Sequence, residues 1–298
     1  MVTLPDPEPG PGEVVVAVKA AGLCHSDASL FEDEKWLQMM DLPVIPGHEI
    51  AGLVESVGPG VSSRKAGDRV VVFPMLSWHG YMRNGGFGTK VLAQAEALVP
   101  IPDNVSFEIA ATSTDAGMTS HAAVITTGQV KAGERVGIIG FGGLGQIGAR
   151  VAILTGAEVH VAEINEAAWD SVMESGAKQV VKDVTEFAGL DLDVIVDFAG
   201  FGTTTAGAIE VIGDDGRVVV VGMAKLEATI NTYPLIMKNV KVLGNVGGTA
   251  DDIAAVLAWM SSGDIKPRTE HTDFGGIPAG LERLHRGEVR GRLIASYK

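Results

Sequence analysis

Two rhythms of apolar residues divide the chain. From residue 13 to 114, short runs rich in valine and isoleucine are broken by turn residues. Glu13 to Lys19, Ile50 to Val57 and Asp68 to Phe73 read as strands, punctuated by Gly58-Pro59-Gly60 and Gly67-Asp68. From about Ala116 the pattern changes to strand alternating with helix. Strands are expected at Arg135 to Ile139, Glu158 to Ala162, Gln179 to Val181, Asp193 to Asp197, Arg217 to Val221 and Val240 to Leu243. Helices are expected at Leu144 to Thr155, Asn165 to Ser175, Thr204 to Ile212 and Tyr233 to Lys238. Six strands joined by helical crossovers predict an α/β fold with a doubly wound parallel sheet. After Ala250, the spacing of Ile253, Val256, Leu257 and Met260 predicts one amphipathic helix, followed by a mixed tail. The sequence contains no internal repeat and no low-complexity tract.

Composition adds limits. The 298 residues are 46% hydrophobic and 5% aromatic, enough for two cores, and 39 glycines suit parallel α/β architecture. A formal charge of −14 argues against nucleic acid or an anionic membrane surface as the main partner. One cysteine excludes an internal disulfide. Met1 to Gly12 is proline-rich and acidic, unlike a secretory leader, and the apolar stretch from Val136 to Leu154 is interrupted by glycines and Arg150. A cytoplasmic location is expected.

Gly140-Phe141-Gly142-Gly143-Leu144-Gly145 fits a dinucleotide-binding turn. With 39 glycines the bare pattern is weak, and its context carries the assignment. A strand ends at Ile139, a helix opens within the motif, and Glu163 closes the next strand about twenty residues on. Pyrophosphate would meet backbone N–H groups at the helix start. The Glu163 carboxylate would accept from ribose hydroxyls and repel the extra phosphate of NADP, so NAD is the expected cofactor. The alternative is a glycine-rich turn beside a surface glutamate.

Upstream, Cys24 in Gly22-Leu23-Cys24-His25-Ser26-Asp27 and His48 in Gly47-His48-Glu49 are candidate ligands for a catalytic zinc, which takes thiolate and imidazole and keeps one position open. Each residue alone has an ordinary reading, as a buried thiol and a core histidine.

These motifs, with Gly67-Asp-Arg-Val70, the nucleotide turn and Val289-Arg-Gly-Arg292, resemble the medium-chain dehydrogenase/reductase family, specifically its zinc-dependent alcohol dehydrogenase branch. The resemblance spans nearly the whole chain. It implies a mostly β, GroES-like catalytic domain (residues 1–116 and 248–298) interrupted by a Rossmann coenzyme domain (117–247). It implies that Cys24 and His48 are metal ligands and that Asp115 is the third; the other reading of Asp115 is a helix cap before Ala116. It implies that Glu49 lies beside the metal, that Asp27 orients His48, and that Ser26 contacts the substrate oxygen. His25, Gly140, Gly142, Gly143, Leu144, Gly145, Glu163 and Arg290 are the implied coenzyme contacts. The implied reaction is reversible hydride transfer between an alcohol and NAD, in a homodimer or higher homo-oligomer joined near Val240 to Leu243.

Three departures from the family pattern stand out. The four-cysteine lobe for a structural zinc is replaced by Pro74 to Asn84, so one catalytic zinc and no structural zinc is expected. Trp78, His79, Tyr81 and Met118 are candidates to line the substrate pocket. The chain begins at what looks like the end of the family's first hairpin, and an absent opening strand would leave the β domain an unpaired edge. A relay histidine of many members is Ser29 here, which leaves the proton path without its usual end. Two rivals stay open: a zinc-free enone or quinone reductase, which usually lacks the Cys and Gly-His-Glu set, and an NAD-binding protein without turnover.

Overall fold

The computed structural model of the chain describes residues 2–30, 37–38 and 40–298. Among them thirteen strands run in chain order: β1 (Glu13–Leu23), β2 (Glu49–Val57), β3 (Arg69–Val72), β4 (Lys90–Gln94), β5 (Leu98–Pro100), β6 (Arg135–Ile139), β7 (Glu158–Ala162), β8 (Gln179–Val181), β9 (Leu192–Asp197), β10 (Ile212–Val220), β11 (Lys241–Gly244), β12 (Thr269–Asp273) and β13 (Arg292–Ser296). They divide between two compact units, Met1–Met118 with Thr249–Lys298, and Thr119–Gly248.

In the first unit the sheet order is β12-β13-β1-β2-β3-β5, with β4 also on β1. β1 is the organiser. Its long valine-rich run pairs antiparallel with β2 along one side; the other side is taken by β4 near its start and β13 near its end. The unpaired edge expected at the front of the chain is therefore not at β1. Val14, Val16, Val18, Ile50, Val54, Val70 and Val72 pack into one core, and Leu23, Ile277, Leu284 and Leu293 into a second. The tail is more regular than its sequence suggests. β12, Thr-Glu-His-Thr-Asp, has no apolar alternation because it is an edge strand that buries little. A helix at Ile277–His285 and the buried β13 were likewise not read from the pattern.

The second unit is a six-stranded parallel sheet in the order β11-β10-β9-β6-β7-β8. Read from the other edge, this is the doubly wound arrangement, with its reversal between β6 and β9, where the loops at the strands' carboxyl ends form a ligand crevice. The segment expected as one helix from Asn165 begins as a 3₁₀ turn, Glu166–Ala168, capped by the Asn165 side chain, and becomes helical only over Trp169–Glu174. β10 starts five residues before the expected Arg217, with an irregularity between Ile212 and Arg217. No helix among the described residues is long and apolar enough to cross a membrane.

The second unit's core centres on Phe187, which is fully buried among Ile139, Leu192, Ile195, Ile209 and Ile212. Truncating it leaves a cavity that the rigid sheet cannot close. Phe187→Ala is expected to lower the unfolding free energy by about 3–5 kcal/mol, measured by urea denaturation.

Candidate active site: a convergence of three strand ends

The register of β1 builds the site. Gly22 lies opposite Glu49 across the β1–β2 pair, so Cys24, just past the end of β1, and His48, just before β2, emerge side by side. On the other flank Leu23 pairs with Leu293, which brings Arg292 to the same end. Gly22 has its own reason to lack a side chain. A Cβ there would fall 1.6 Å from Glu49 Oε2, so the glycine of the first motif makes room for the glutamate of the second.

Asp115 comes from a separate element. The Ser113–Gly117 segment is a π-helical turn, marked by the Gly117 N–H donating to the Thr112 carbonyl at 2.8 Å. Such widened turns re-aim side chains and recur at functional sites. Asp115 lies inside this turn, ahead of the helix that starts at Met118. Its Oδ2 lies 3.4 Å from His48 Nε2 and accepts from Arg292 Nη2 at 2.5 Å. Ligand atoms of Cys24, His48 and Asp115 all lie within 4.8 Å of one another. A thiol, an imidazole and a carboxylate at that separation fit a zinc ion with one position left open.

Asp27 holds two of the three. One carboxylate oxygen accepts from the Cys24 backbone N–H at 2.9 Å, and the other lies 3.2 Å from His48 Nδ1. This fixes the imidazole with Nε2 toward Cys24 and Asp115, as outer partners of metal-ligating histidines do. Glu49 is fully buried and uses both oxygens, accepting from the Ala116 N–H at 3.0 Å and from Arg292 Nε at 2.8 Å.

The charges explain the electrostatics. Burial alone would raise the Asp115 carboxyl, but His48 and the Arg292 guanidinium overcome it and hold the group far below the usual carboxylate range. Burial and the Asp115 charge push Glu49 up against the pull of Arg292. Burial would lower His48, yet Tyr81, Asp27 and Asp115 together hold it well above its ordinary value. Surroundings that stabilise a proton on His48 this strongly also favour a divalent cation in its place.

Ser26 lies on the short helix His25–Ser29 and meets the Tyr81 hydroxyl at 3.1 Å. The Tyr81 ring is 5.5 Å from that of His48, and burial pushes its phenol up to about 12, with His48 opposing and Asp27 and Cys24 adding. Of the other pocket candidates, His79 and Met118 are fully buried; the Leu92 carbonyl accepts from His79 Nε2 at 3.1 Å. Trp78 stands edge-on to Tyr81, with ring centroids 6.4 Å apart.

The coenzyme candidates divide between the units. His25 and Arg290 belong to the first and are exposed; the Arg290 N–H donates to Glu270. The second holds Gly140, Gly142, Gly143, Leu144, Gly145 and Glu163. Gly140 has φ +84°, which a side chain disfavours. Gly142 faces open space, where a phosphate can approach the backbone, and a Cβ on Gly145 would lie 1.9 Å from the Gly140 carbonyl oxygen. Leu144 leads into the Gly145–Leu154 helix, and its carbonyl accepts from Ser120 Oγ at 2.9 Å. Glu163 closes this turn: its carboxylate accepts from the Phe141 N–H at 2.6 Å and the Asn165 N–H at 2.7 Å. These features fit a dinucleotide.

Arg292 is the residue that motif reading passed over. It stands in Val289-Arg-Gly-Arg292, where Arg290 drew the coenzyme role. The signal available was that a glutamate and an aspartate placed beside a metal need a buried cation, but the 243 residues separating Glu49 from Arg292 hide the pairing. Removing the guanidinium leaves two carboxylates facing each other inside the unit. Arg292→Met is expected to destabilise the protein by about 3–5 kcal/mol in chemical denaturation.

Comparison with known proteins agrees with this construction. Residues 10–103 match the alcohol dehydrogenase GroES-like domain, and residues 143–262 the zinc-binding dehydrogenase family. An alcohol dehydrogenase of Geobacillus stearothermophilus is 32% identical over 95% of this chain and 91% of its own length. One from Moraxella sp. (strain TAE123) is 30% identical over 98% and 94%. Among solved structures, acetophenone reductase from Geotrichum candidum in complex with NAD superposes with a TM-score of 0.90 at 27% identity, covering 98% of this chain and 92% of that one. The alcohol dehydrogenase of Aeropyrum pernix gives a TM-score of 0.89 at 27% identity over 99% and 95%. The chain therefore belongs to the zinc-binding alcohol dehydrogenases of the medium-chain dehydrogenase/reductase family, oxidoreductases that act on alcohols.

Proposed function

We propose that this chain oxidises alcohols to aldehydes or ketones, and reduces them back, with NAD and one catalytic zinc held by Cys24, His48 and Asp115. The observation that carries the assignment is the convergence of those three side chains, drawn from three separate elements, within 4.8 Å. It favours this reading over a zinc-free reductase, for which a converging thiol, imidazole and carboxylate have no use.

Zinc bound there supplies Lewis acidity, and NAD supplies the hydride acceptor. The chain's own residues do the rest. Asp27 keeps His48 in the tautomer that presents Nε2 as a neutral ligand. Arg292 locks the rotamers of Glu49 and Asp115. Ser26 offers a hydroxyl to accept the substrate's proton. Gly140, Gly142 and Gly145 shape the pyrophosphate turn, with Gly143 and Leu144 completing it, and Glu163 faces the adenosine ribose while repelling a 2′-phosphate. Arg290 supplies a cation for the coenzyme phosphates, and His25, held below its ordinary value by desolvation and Arg292, offers a neutral ring N–H.

Cys24, His48 and Asp115 offer one three-ligand site, and one zinc per chain is proposed on it. Cys24→Ser and Asp115→Ala should each bring zinc, measured by atomic emission, from one per chain to near none. Alcohol oxidation should fall by more than the roughly 10–100-fold that loss of an outer hydrogen-bond partner costs. Full activity without bound metal would reject the reading.

A homodimer is proposed on a separate feature. β11 is an edge strand of the parallel sheet, and Val242 within it and Val246 just past its end are 43% and 75% exposed. Such an edge invites pairing with a second copy. Light scattering should give twice the 31.0 kDa chain mass, and Val242→Lys should shift it toward the monomer.

A further inference from the structure

We propose that Tyr81 carries the substrate's proton from Ser26 to solvent, as the outer member of a two-hydroxyl relay that this chain builds from its shortened loop. The inference rests on the functional reading above.

The position that resembles a relay histidine is Ser29, and its hydroxyl is turned away from this task. It donates to the His25 carbonyl of its own helix at 3.0 Å. Ser26 has a different neighbour. Tyr81 Oη donates to Ser26 Oγ at 3.1 Å, and both residues are partly exposed.

The loop that delivers Tyr81 is held by contacts that only glycine permits. A Cβ on Gly80 would lie 2.9 Å from the Gly47 carbonyl carbon, and one on Gly85 would lie 2.1 Å from the Gly47 oxygen. Gly85 and Gly86 N–H groups donate to the Ile45 and Gly47 carbonyls, each at 2.7 Å, and Asn84 Oδ1 accepts from the Ile45 N–H at 2.9 Å. Inside the loop the Tyr81 N–H donates to the Trp78 carbonyl at 3.0 Å, and the Tyr81 carbonyl accepts from Asp41 at 2.9 Å. Backbone thus lies on backbone directly beside His48. A phenol placed by so many fixed contacts loses little freedom in meeting Ser26.

The step balances. Alcohol oxidation sends hydride, with both electrons of the C–H bond, to the nicotinamide and leaves one proton to dispose of. The substrate O–H bond breaks as its proton passes to Ser26 Oγ. Ser26 gives its own hydrogen to Tyr81 Oη, and Tyr81 gives its own to water. A hydroxyl both donates and accepts, so each is restored to neutrality and one proton appears in solvent.

The test is single-turnover alcohol oxidation by the zinc-loaded protein, with proton release followed by a pH-indicator dye. Tyr81→Phe keeps the ring and removes only the relay oxygen. Its proton release is expected to slow by about a hundredfold, with zinc content and NAD affinity within twofold of wild type. A small tertiary amine, too crowded to ligate zinc, should restore the rate by accepting the proton directly, which it could not do for a merely structural loss. Combining Tyr81→Phe with Ser26→Ala should add nothing beyond Ser26→Ala alone. Proton release at the wild-type rate in Tyr81→Phe, no rescue by the amine, or additive effects in the double variant would each overturn the relay while leaving the alcohol dehydrogenase reading intact. A wild-type protein that binds zinc and NAD yet turns over no alcohol overturns both.

Discussion

Arg292 enters the interior of the first unit at the head of β13 with one guanidinium nitrogen on Glu49 and another on Asp115, and those two carboxylates come from parts of the chain that share no local structure. A buried cation of this kind is stable only while its partners stay in place, and buried carboxylates need it in the same way. The geometry of the candidate metal site follows from that mutual requirement. Glu49 also takes the Ala116 N–H, so the π-helical turn bearing Asp115 is tied to β2 through the same glutamate. Gly22 leaves the space in which the glutamate sits.

Around that core of charge the balance is uneven. Asp27, Glu49 and Asp115 stand against one guanidinium, with the Cys24 thiol beside them. Tyr81, Asp27 and Asp115 together raise His48 despite its burial. The excess of carboxylates suits the divalent cation proposed for this site, because the candidate ligands are already oriented by their neighbours. Asp27 acts on both flanks of this arrangement, and its two oxygens are the shortest link between the first motif and the second.

The nucleotide-binding unit obeys a different constraint, that of backbone approaching backbone. Three glycines in one turn meet three separate demands: a left-handed φ at Gly140, open space before Gly142, and contact between Gly145 and the Gly140 carbonyl. Glu163 then seals the turn through the Phe141 N–H. A similar device recurs in the first unit, where Gly47, Gly80 and Gly85 let the short Pro74 to Asn84 segment lie against the chain that leads through His48 into β2.

Periodicity alone disclosed the parallel sheet, because its strands are buried on both faces and stand out as continuous apolar runs between helices; five of its six strands fall within a residue or so of their expected limits. Motif spacing likewise brought Cys24, His48, Asp27 and Glu49 into view, since each pair is close in sequence and its chemistry is carried by residue type. What lay beyond the sequence were features made by long-range pairing. β12 is polar because it is an edge, so it leaves no apolar signature. Arg292 is one arginine among several until β13 is laid beside β1. Tyr81 is one candidate in an unfamiliar loop until glycine-mediated packing puts its hydroxyl on Ser26. Residue type and local period are properties of the chain and can be read along it; which distant charges share one desolvated space is set by strand register, and that exists only once the sheet has formed.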